Sequence, residues 1–255
     1  MMSARIISIA NQKGGVGKTA TTTNLGTCLY TMGNRVLLLD MDPQGNLSSS
    51  FGSLPHADAT VADALLDRKV PLPVTSVYSD TPGRLDLVPA TVALAMAEAA
   101  LMNKLGREFR LRDQLLAVAD TYDVILIDTP PSLGLLTINS LVAAQLVLIP
   151  TEARFFSLQG LQMLQESIDE ILYINPNLRI LGILLSKFDR RLREEQQVAA
   201  YLRENWGSLV FATSVGTNSK ILEAASAGVP LVELGGSQRA VEMYQSLAQE
   251  VLARV

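Results

Sequence analysis

A doubly wound α/β fold, with a mostly parallel sheet and helices on both faces, is predicted by three features of this sequence. Short β-branched runs alternate with helical patterns from end to end. The runs are apolar almost without break, as suits strands buried on both faces of a parallel sheet. The length, 255 residues with 48% apolar side chains, fits one domain of the larger α/β kind.

Strands are expected at Arg5–Ala10, Arg35–Asp40, Leu85–Val88, Asp123–Asp128, Gln145–Pro150 and Arg179–Ser186. Helices are expected near Lys18–Met32, Thr91–Leu101, Leu111–Ala119, Leu158–Tyr173 and Glu194–Asn205, with a last one from about Ser237 to Ala253 after the Gly235-Gly236 break. This β-α alternation implies right-handed crossovers. Residues Ser53–Pro82 carry four of the eleven prolines and the only histidine, His56, and are expected to form a surface excursion. No repeat or linker divides the chain, so one domain is expected.

Composition removes several classes of function. A net charge of −4 excludes a uniformly basic DNA-coating protein and leaves room for a local basic patch. A single cysteine, Cys28, excludes an intramolecular disulfide framework and any Cys-x-x-Cys metal or iron–sulfur site within one chain. One histidine removes most histidine-based catalysis. No apolar run reaches the ~18 residues of a membrane span, and the N-terminus turns polar at Asn11, too soon for a signal peptide. A cytosolic chain is expected.

The first strand runs into Asn11-Gln12-Lys13-Gly14-Gly15-Val16-Gly17-Lys18-Thr19, and a helix follows. Glycines let backbone N–H groups face an anion, and the helix N-terminus adds its positive end. Lys18 is placed to reach the β- and γ-phosphates of a nucleotide, and the Thr19 hydroxyl to hold Mg²⁺. Two other strands end in acid. Asp40 and Asp42 flank Met41 and, by alternation, point the same way; Val124-Ile125-Leu126-Ile127-Asp128 is a Walker B pattern. Ligands of such folds bind at these carboxyl ends.

Gln12 stands where the usual loop has its first glycine, and Lys13 follows it. The run Lys-Gly-Gly-Val-Gly-Lys-Thr resembles the deviant Walker A motif of the ParA/MinD ATPases. Asp40-Met41-Asp42-Pro43-Gln44-Gly45-Asn46 is similar to the family's switch I, and Asp128-Thr129-Pro130-Pro131 to its switch II. Arg107–Leu115 resembles a segment of the small, Soj-type ParA proteins. The resemblance covers nearly the whole chain and implies ATP and Mg²⁺ as cofactors. Nucleotide would be held by Lys13, Gly14, Gly15, Val16, Gly17, Lys18, Thr19 and Ala20, with adenine contacts near Ser186, Phe188 and Asp189. Magnesium would be held by Thr19, Asp40 and Asp128. Lys13 would reach across a homodimer to the partner's nucleotide, like an arginine finger, and Asp42 would orient the attacking water. Lys13, Asp42 and Lys18 are thus the expected catalytic residues.

The run Pro150–Gly160 resembles the family's Pro-x-Gln-x-Glu-Tyr-x-x-Leu-Glu-Gly and departs from it at Glu152, Arg154 and Gln159. A late cluster, Lys187, Arg190, Arg191 and Arg193, then Arg203, Lys220 and Arg239, supplies the basic patch. By resemblance, Arg190, Arg191, Arg193 and Lys220 would bind double-stranded DNA without sequence preference. The terminal segment has few basic residues, so no membrane anchor of the MinD kind is expected. With ten residues before Asn11, no N-terminal DNA-reading domain is expected either. The implied activity is an ATP-switched, nucleoid-associated dimer whose hydrolysis is stimulated by a ParB-like or other cargo adaptor. Positioning of a non-DNA cargo, and a metabolic phosphate-loop enzyme, remain as alternatives.

Overall fold

The computed structural model describes residues 4–52, 59–79, 82–235 and 238–255. Its strands are β1 (Arg5–Ile9), β2 (Arg35–Asp40), β3 (Thr75–Tyr78), β4 (Arg84–Val88), β5 (Val124–Asp128), β6 (Leu146–Glu152), β7 (Arg179–Ser186) and β8 (Val210–Val215). They form one sheet in the order β3-β4-β2-β5-β1-β6-β7-β8, parallel except for the edge strand β3. The chain therefore starts at the centre, builds outward to one side, and returns through β5 and β6 to build the other. The carboxyl end of β1 lies where the strand order reverses, the crevice in which open α/β sheets take their ligands.

The helices are α1 (Lys18–Thr31), α2 (Asn46–Ser49), α3 (Val61–Leu66), α4 (Ala93–Leu101), α5 (Arg110–Leu115), α6 (Leu135–Ala143), α7 (Phe155–Ile171), α8 (Arg193–Trp206), α9 (Ser219–Ala227), α10 (Leu231–Leu234) and α11 (Gln238–Arg254). Strand alternation sends Ile7, Ile9, Leu38 and Leu126 to one face, with Leu25 and Leu29 of α1 and Tyr244 and Leu247 of α11. It sends Ile6, Leu37, Ile125 and Ile127 to the other face, with residues of α3 to α8. Both faces are dry, which is why the strands read as continuous apolar runs.

Helix α1 carries several threonines, poor helix formers because their hydroxyls compete for backbone partners. Thr22 Oγ1 donates back to Lys18 O at 3.1 Å and Thr27 Oγ1 to Thr23 O at 2.7 Å, while the buried Thr23 Oγ1 has no hydrogen-bond partner among the described residues. Gly26 lets α1 approach β2, since a Cβ there would lie 2.5 Å from Leu38 Cδ2.

The expected surface excursion at Ser53–Pro82 is corrected for residues 59–79. Helix α3 starts with a capping box: Asp63 Oδ2 accepts from Thr60 N at 2.8 Å while Thr60 Oγ1 accepts from Ala62 N. It buries Val61, Ala62, Ala64 and Leu65. Strand β3 then extends the sheet. The prolines Pro71 and Pro73 interrupt only the link between these two elements. His56 and the expected helix start at Ser237 lie outside the described residues. Helices α2, α6, α9 and α10 and strand β8 are not among the expected elements; α5 ends at Leu115 rather than Ala119, and α7 begins at Phe155 rather than Leu158. Among the described residues no helix is long and apolar enough to cross a membrane.

Candidate phosphate-binding site

The loop between β1 and α1 is tied down at its start. Asn11 Nδ2 donates to Pro150 O at 2.7 Å, and Asn11 Oδ1 accepts from Lys13 N at 3.0 Å. Gly15 and Gly17 have φ of +74° and +89°, which glycine adopts without strain. Gly17 leads into α1, whose first turn has neither a side-chain cap nor an acidic residue. Its N–H groups and the positive end of the helix dipole are therefore arranged for an anion.

Lys18 folds back over this loop. Its Nζ donates to Asn11 O at 3.0 Å and Lys13 O at 3.3 Å, and the residue is buried. Burial lowers its pKa below that of an ordinary lysine, against the opposing charges of Asp128 and Asp42. Thr19 Oγ1 donates to Asp128 Oδ2 at 2.7 Å, and Thr22 Oγ1 to Asp128 Oδ1 at 3.3 Å. Desolvation, and then the neighbouring charge of Asp40, push Asp128 up to about 8; the Thr19 hydrogen bond and Lys18 oppose the shift.

Asp40 organises the switch-like segment after β2. Its Oδ2 accepts from Ser48 N at 2.8 Å and Ser48 Oγ at 2.7 Å, and its Oδ1 accepts from Asp42 N at 3.0 Å. Burial raises it to about 6 in spite of these hydrogen bonds. Asp42 Oδ1 accepts from Gln44 N at 3.0 Å, so its carboxylate starts a turn and is also close enough for its charge to act on Lys18. Gly14 packs beside Pro131 (a Cβ on it would meet Pro131 Cβ at 3.8 Å), which brings the Asp128–Pro131 segment against the loop. Val16 lies in the same loop with its side chain buried, and Ala20 lies in the first turn of α1.

Lys13, the added lysine, pairs with Glu152 at the end of β6, Nζ to Oε2 at 2.6 Å. Lys187 reaches the same carboxylate, Nζ to Oε1 at 3.5 Å. Burial opposes ionisation of Glu152, but Lys13 and then Lys187 outweigh it and hold the carboxyl below its ordinary value. Lys187 is thus separated from the late basic cluster with which its position in the sequence groups it.

The other expected residues are placed as follows. Ser186 Oγ donates to Val16 O at 2.7 Å, bracing the loop from β7. The Phe188 ring is buried in the core with α8, while Asp189 accepts both Nε and Nη2 of Arg191, at 2.9 and 2.7 Å. Arg190 Nη2 donates to Ser214 Oγ at 3.3 Å. Arg193 begins α8, and Lys220 at the start of α9 pairs with Glu223 at 2.5 Å. The loops carrying these groups are joined: Phe188 N donates to Val215 O and Thr217 Oγ1 to Lys187 O, both at 3.0 Å. The basic residues therefore share the carboxyl edge of β7 and β8. Asn11, Thr22 and Ser48 were missed as site residues; only Asn11, next to the loop motif, carries a sequence signal.

A glycine loop from a central strand into an uncapped helix, with a hydroxyl–carboxylate pair at the next strand end, defines a phosphate-loop site of the nucleoside-triphosphatase class. The family described as AAA domain matches residues 4–180. The sporulation initiation inhibitor protein Soj of Bacillus subtilis is 42% identical over 252 residues, 98% of each chain. The chromosome partitioning protein ParA of Myxococcus xanthus is 43% identical over 253 residues, 98% of this chain and 88% of its own. Among solved structures, a Mycobacterium smegmatis protein described as cobyrinic acid a,c-diamide synthase, with bound ATP analogue and magnesium, superposes with a TM-score of 0.82 at 32% identity, covering 98% of this chain and 94% of its own. The chain belongs to the ParA/MinD family of deviant Walker A ATPases.

Proposed function

We propose that this protein is an ATP-switched dimer that binds DNA without sequence preference in the ATP state and lets go after hydrolysis stimulated by a partner, so segregating DNA or positioning a cargo. The observation that carries the reading is the uncapped start of α1 under the Lys18 ammonium, with Thr19 bonded to Asp128. The names of the Soj and ParA relatives support partitioning as the task.

The residues fit ATP with Mg²⁺. The loop offers main-chain N–H groups from Gly14 to Ala20 with no side chain crowding Gly15 or Gly17, and Lys18 supplies the ammonium for the β- and γ-phosphates. Thr19 and Asp128 offer the hard oxygen donors that magnesium prefers, with Asp40 behind them. Magnesium, when bound, neutralises charge developing on the phosphates. Asp42 orients a water for attack, and Lys13 stabilises charge on a partner's nucleotide. Ser186, Phe188 and Asp189 border the adenine through the segment they share. Arg190, Arg191, Arg193 and Lys220 form the DNA-binding edge, and the protein works in the cytoplasm on the nucleoid. A ParB-like adaptor is the expected stimulator.

The M. smegmatis neighbour's name favours a second reading, ATP-driven chemistry on a small molecule. One experiment separates the two: duplex binding and light-scattering mass measured with no nucleotide, ADP and a non-hydrolysable ATP analogue. The proposed function requires a doubled mass and duplex binding with the analogue alone; absence of either overturns it.

A further inference from the structure

Three cations converge on one carboxylate at the rim of the phosphate loop. Glu152, 16% exposed at its side chain, takes Lys13 at 2.6 Å, Lys187 at 3.5 Å and Arg154 Nε at 4.0 Å. The sheet sets this up. Glu152 and Ser186 are register partners at the ends of β6 and β7, so Lys187 is the next residue beyond that pair. Lys187 is the one non-glycine residue with positive φ among those described, at 53°. Such a conformation is unfavourable for a residue with a side chain and persists only where the surroundings hold it. Here the side chain folds back to within 4.0 Å of where a Cβ on Gly15 would stand. Arg154 also reaches Glu195 Oε1 at 3.8 Å.

A lysine ammonium meets a carboxylate and a phosphate oxygen in the same way, as charge-assisted hydrogen bonds. With Lys18 already over the loop, Lys13, Lys187 and Arg154 would repel one another at the rim without an anion between them. Glu152 is that anion. When triphosphate enters the loop the balance reverses: the cations gain phosphate partners, and Glu152 becomes a like charge beside them.

We propose that Glu152 is an internal competitor for the phosphate-loop cations, holding Lys13 and Lys187 at the rim until a nucleotide triphosphate draws them off. Lys187 is then a third lysine for nucleotide phosphate, beside Lys13 and Lys18. The competition sets the ATP concentration at which the protein responds. It goes beyond the proposed function and requires neither dimerisation nor DNA binding: in the monomer Lys13 answers to the charge of its own loop's triphosphate, and its reach to a partner's nucleotide belongs to the dimer.

The test is calorimetry of a magnesium-loaded, non-hydrolysable ATP analogue on the full chain at a concentration where it is monomeric. Glu152→Gln keeps the shape and removes the charge. An ion pair of this exposure is worth up to about 1 kcal/mol, so the variant should bind roughly three- to sixfold more tightly. In a Lys13→Ala, Lys187→Met background the same change should alter affinity less than about twofold, because both lysines that Glu152 holds are gone and the remaining Arg154, 4.0 Å away, keeps Glu195 as a partner. A gain that persists there is a long-range field effect and overturns the proposal; so does unchanged or weaker binding in the single variant. Should the double background bind no nucleotide, acylation mapped by mass spectrometry decides. Glu152→Gln must raise the rates at Lys13 and Lys187 in the nucleotide-free protein, and equal rates overturn the proposal. Wild-type binding of the analogue without dimerisation or DNA binding would count against the proposed function and leave this test valid.

Discussion

Asp40 and Asp128 are register partners at the carboxyl ends of the neighbouring parallel strands β2 and β5, both fully buried. Adjacent parallel strands lie about 4.8 Å apart, and paired residues point to the same face. Two acids so placed cannot both ionise cheaply in a dry site. Ser48 and the Asp42 N–H satisfy Asp40, and Thr19 and Thr22 satisfy Asp128, so hydrogen bonds hold the pair in place.

The first prediction follows from the direction of these shifts. Both carboxyls are raised in the folded chain, Asp128 to about 8 and Asp40 to about 6. A raised acid binds its proton more tightly in the folded state, so its stabilising effect is complete below the unfolded pKa of about 4 and is lost as pH rises through the folded value. The nucleotide- and magnesium-free protein should therefore melt at progressively lower temperature from about pH 5 to pH 8.5. Asp128→Asn should flatten this slope. Calorimetric melting across that range checks it, and an equal slope in the variant would show that other groups dominate.

Lys18 and Asp42 should separate binding from turnover. Lys18→Ala removes a buried ammonium aimed along the loop; charge-assisted bonds of about 1.5–3 kcal/mol predict a loss of ATP affinity of roughly ten- to a hundredfold. Asp42→Ala leaves the loop and α1 intact, so it should keep affinity within a few-fold while hydrolysis falls by at least about tenfold. Titration calorimetry and phosphate release measure the two quantities. Asp42→Ala turning over ATP at the wild-type rate would remove Asp42 from its role.

The central strands and the loop were legible because their signals are local. Residues Val36–Asp40 and Val124–Asp128 are apolar runs ending in acid, and Lys13–Thr19 is a contiguous motif. What escaped was either interrupted or distant. Strand β8 alternates burial only partly and contains Ala212, Thr213 and Ser214, so it lacks the continuous apolar run of an inner strand. Helix α3 begins with a capping box from Thr60 and Asp63, placed within a proline-bearing stretch. Glu152 was visible only as a departure from a pattern. Its partner Lys13 is 139 residues away, and only the sheet brings the two together. Lys187 was grouped with Arg190 by adjacency, whereas its left-handed backbone turns it to the phosphate loop.

Packing at the far side of the sheet gives a stability prediction independent of nucleotide. A Cβ on Gly182 of β7 would lie 2.6 Å from Phe211 Cε2, 2.7 Å from Arg254 Nη1 and 2.8 Å from Leu209 O. Arg254 stacks over the Phe211 ring at 4.1 Å and donates to Leu181 O at 3.0 Å, so neither side chain can withdraw without losing contacts. Overpacking of this kind costs about 1–3 kcal/mol. Gly182→Ala should lower the melting temperature by roughly 3–10 °C while nucleotide affinity stays unchanged. An unaltered melting temperature would mean that α11 yields without cost.

The last prediction concerns the basic edge of β7 and β8. Arg191 is mostly exposed and held by Asp189, whose carboxyl is pulled down to about 2 by the Arg191 side-chain hydrogen bonds. Lys220 is held by Glu223. DNA phosphates must displace these acids, so one chain neutralises few phosphates and binds weakly at physiological salt; two chains in a rigid dimer add their contacts. Arg191→Glu with Lys220→Glu should abolish duplex binding and leave ATP-dependent dimerisation intact. The pairing supplies a second, opposite expectation. Asp189→Ala with Glu223→Gln frees both cations and should strengthen ATP-dependent duplex binding about three- to tenfold at low salt, the gain fading as salt rises. Fluorescence anisotropy across a salt series reads both variants. The edge assignment fails if the charge-reversed variant binds as wild type does, or if releasing Arg191 and Lys220 from their acids leaves affinity unchanged at low salt.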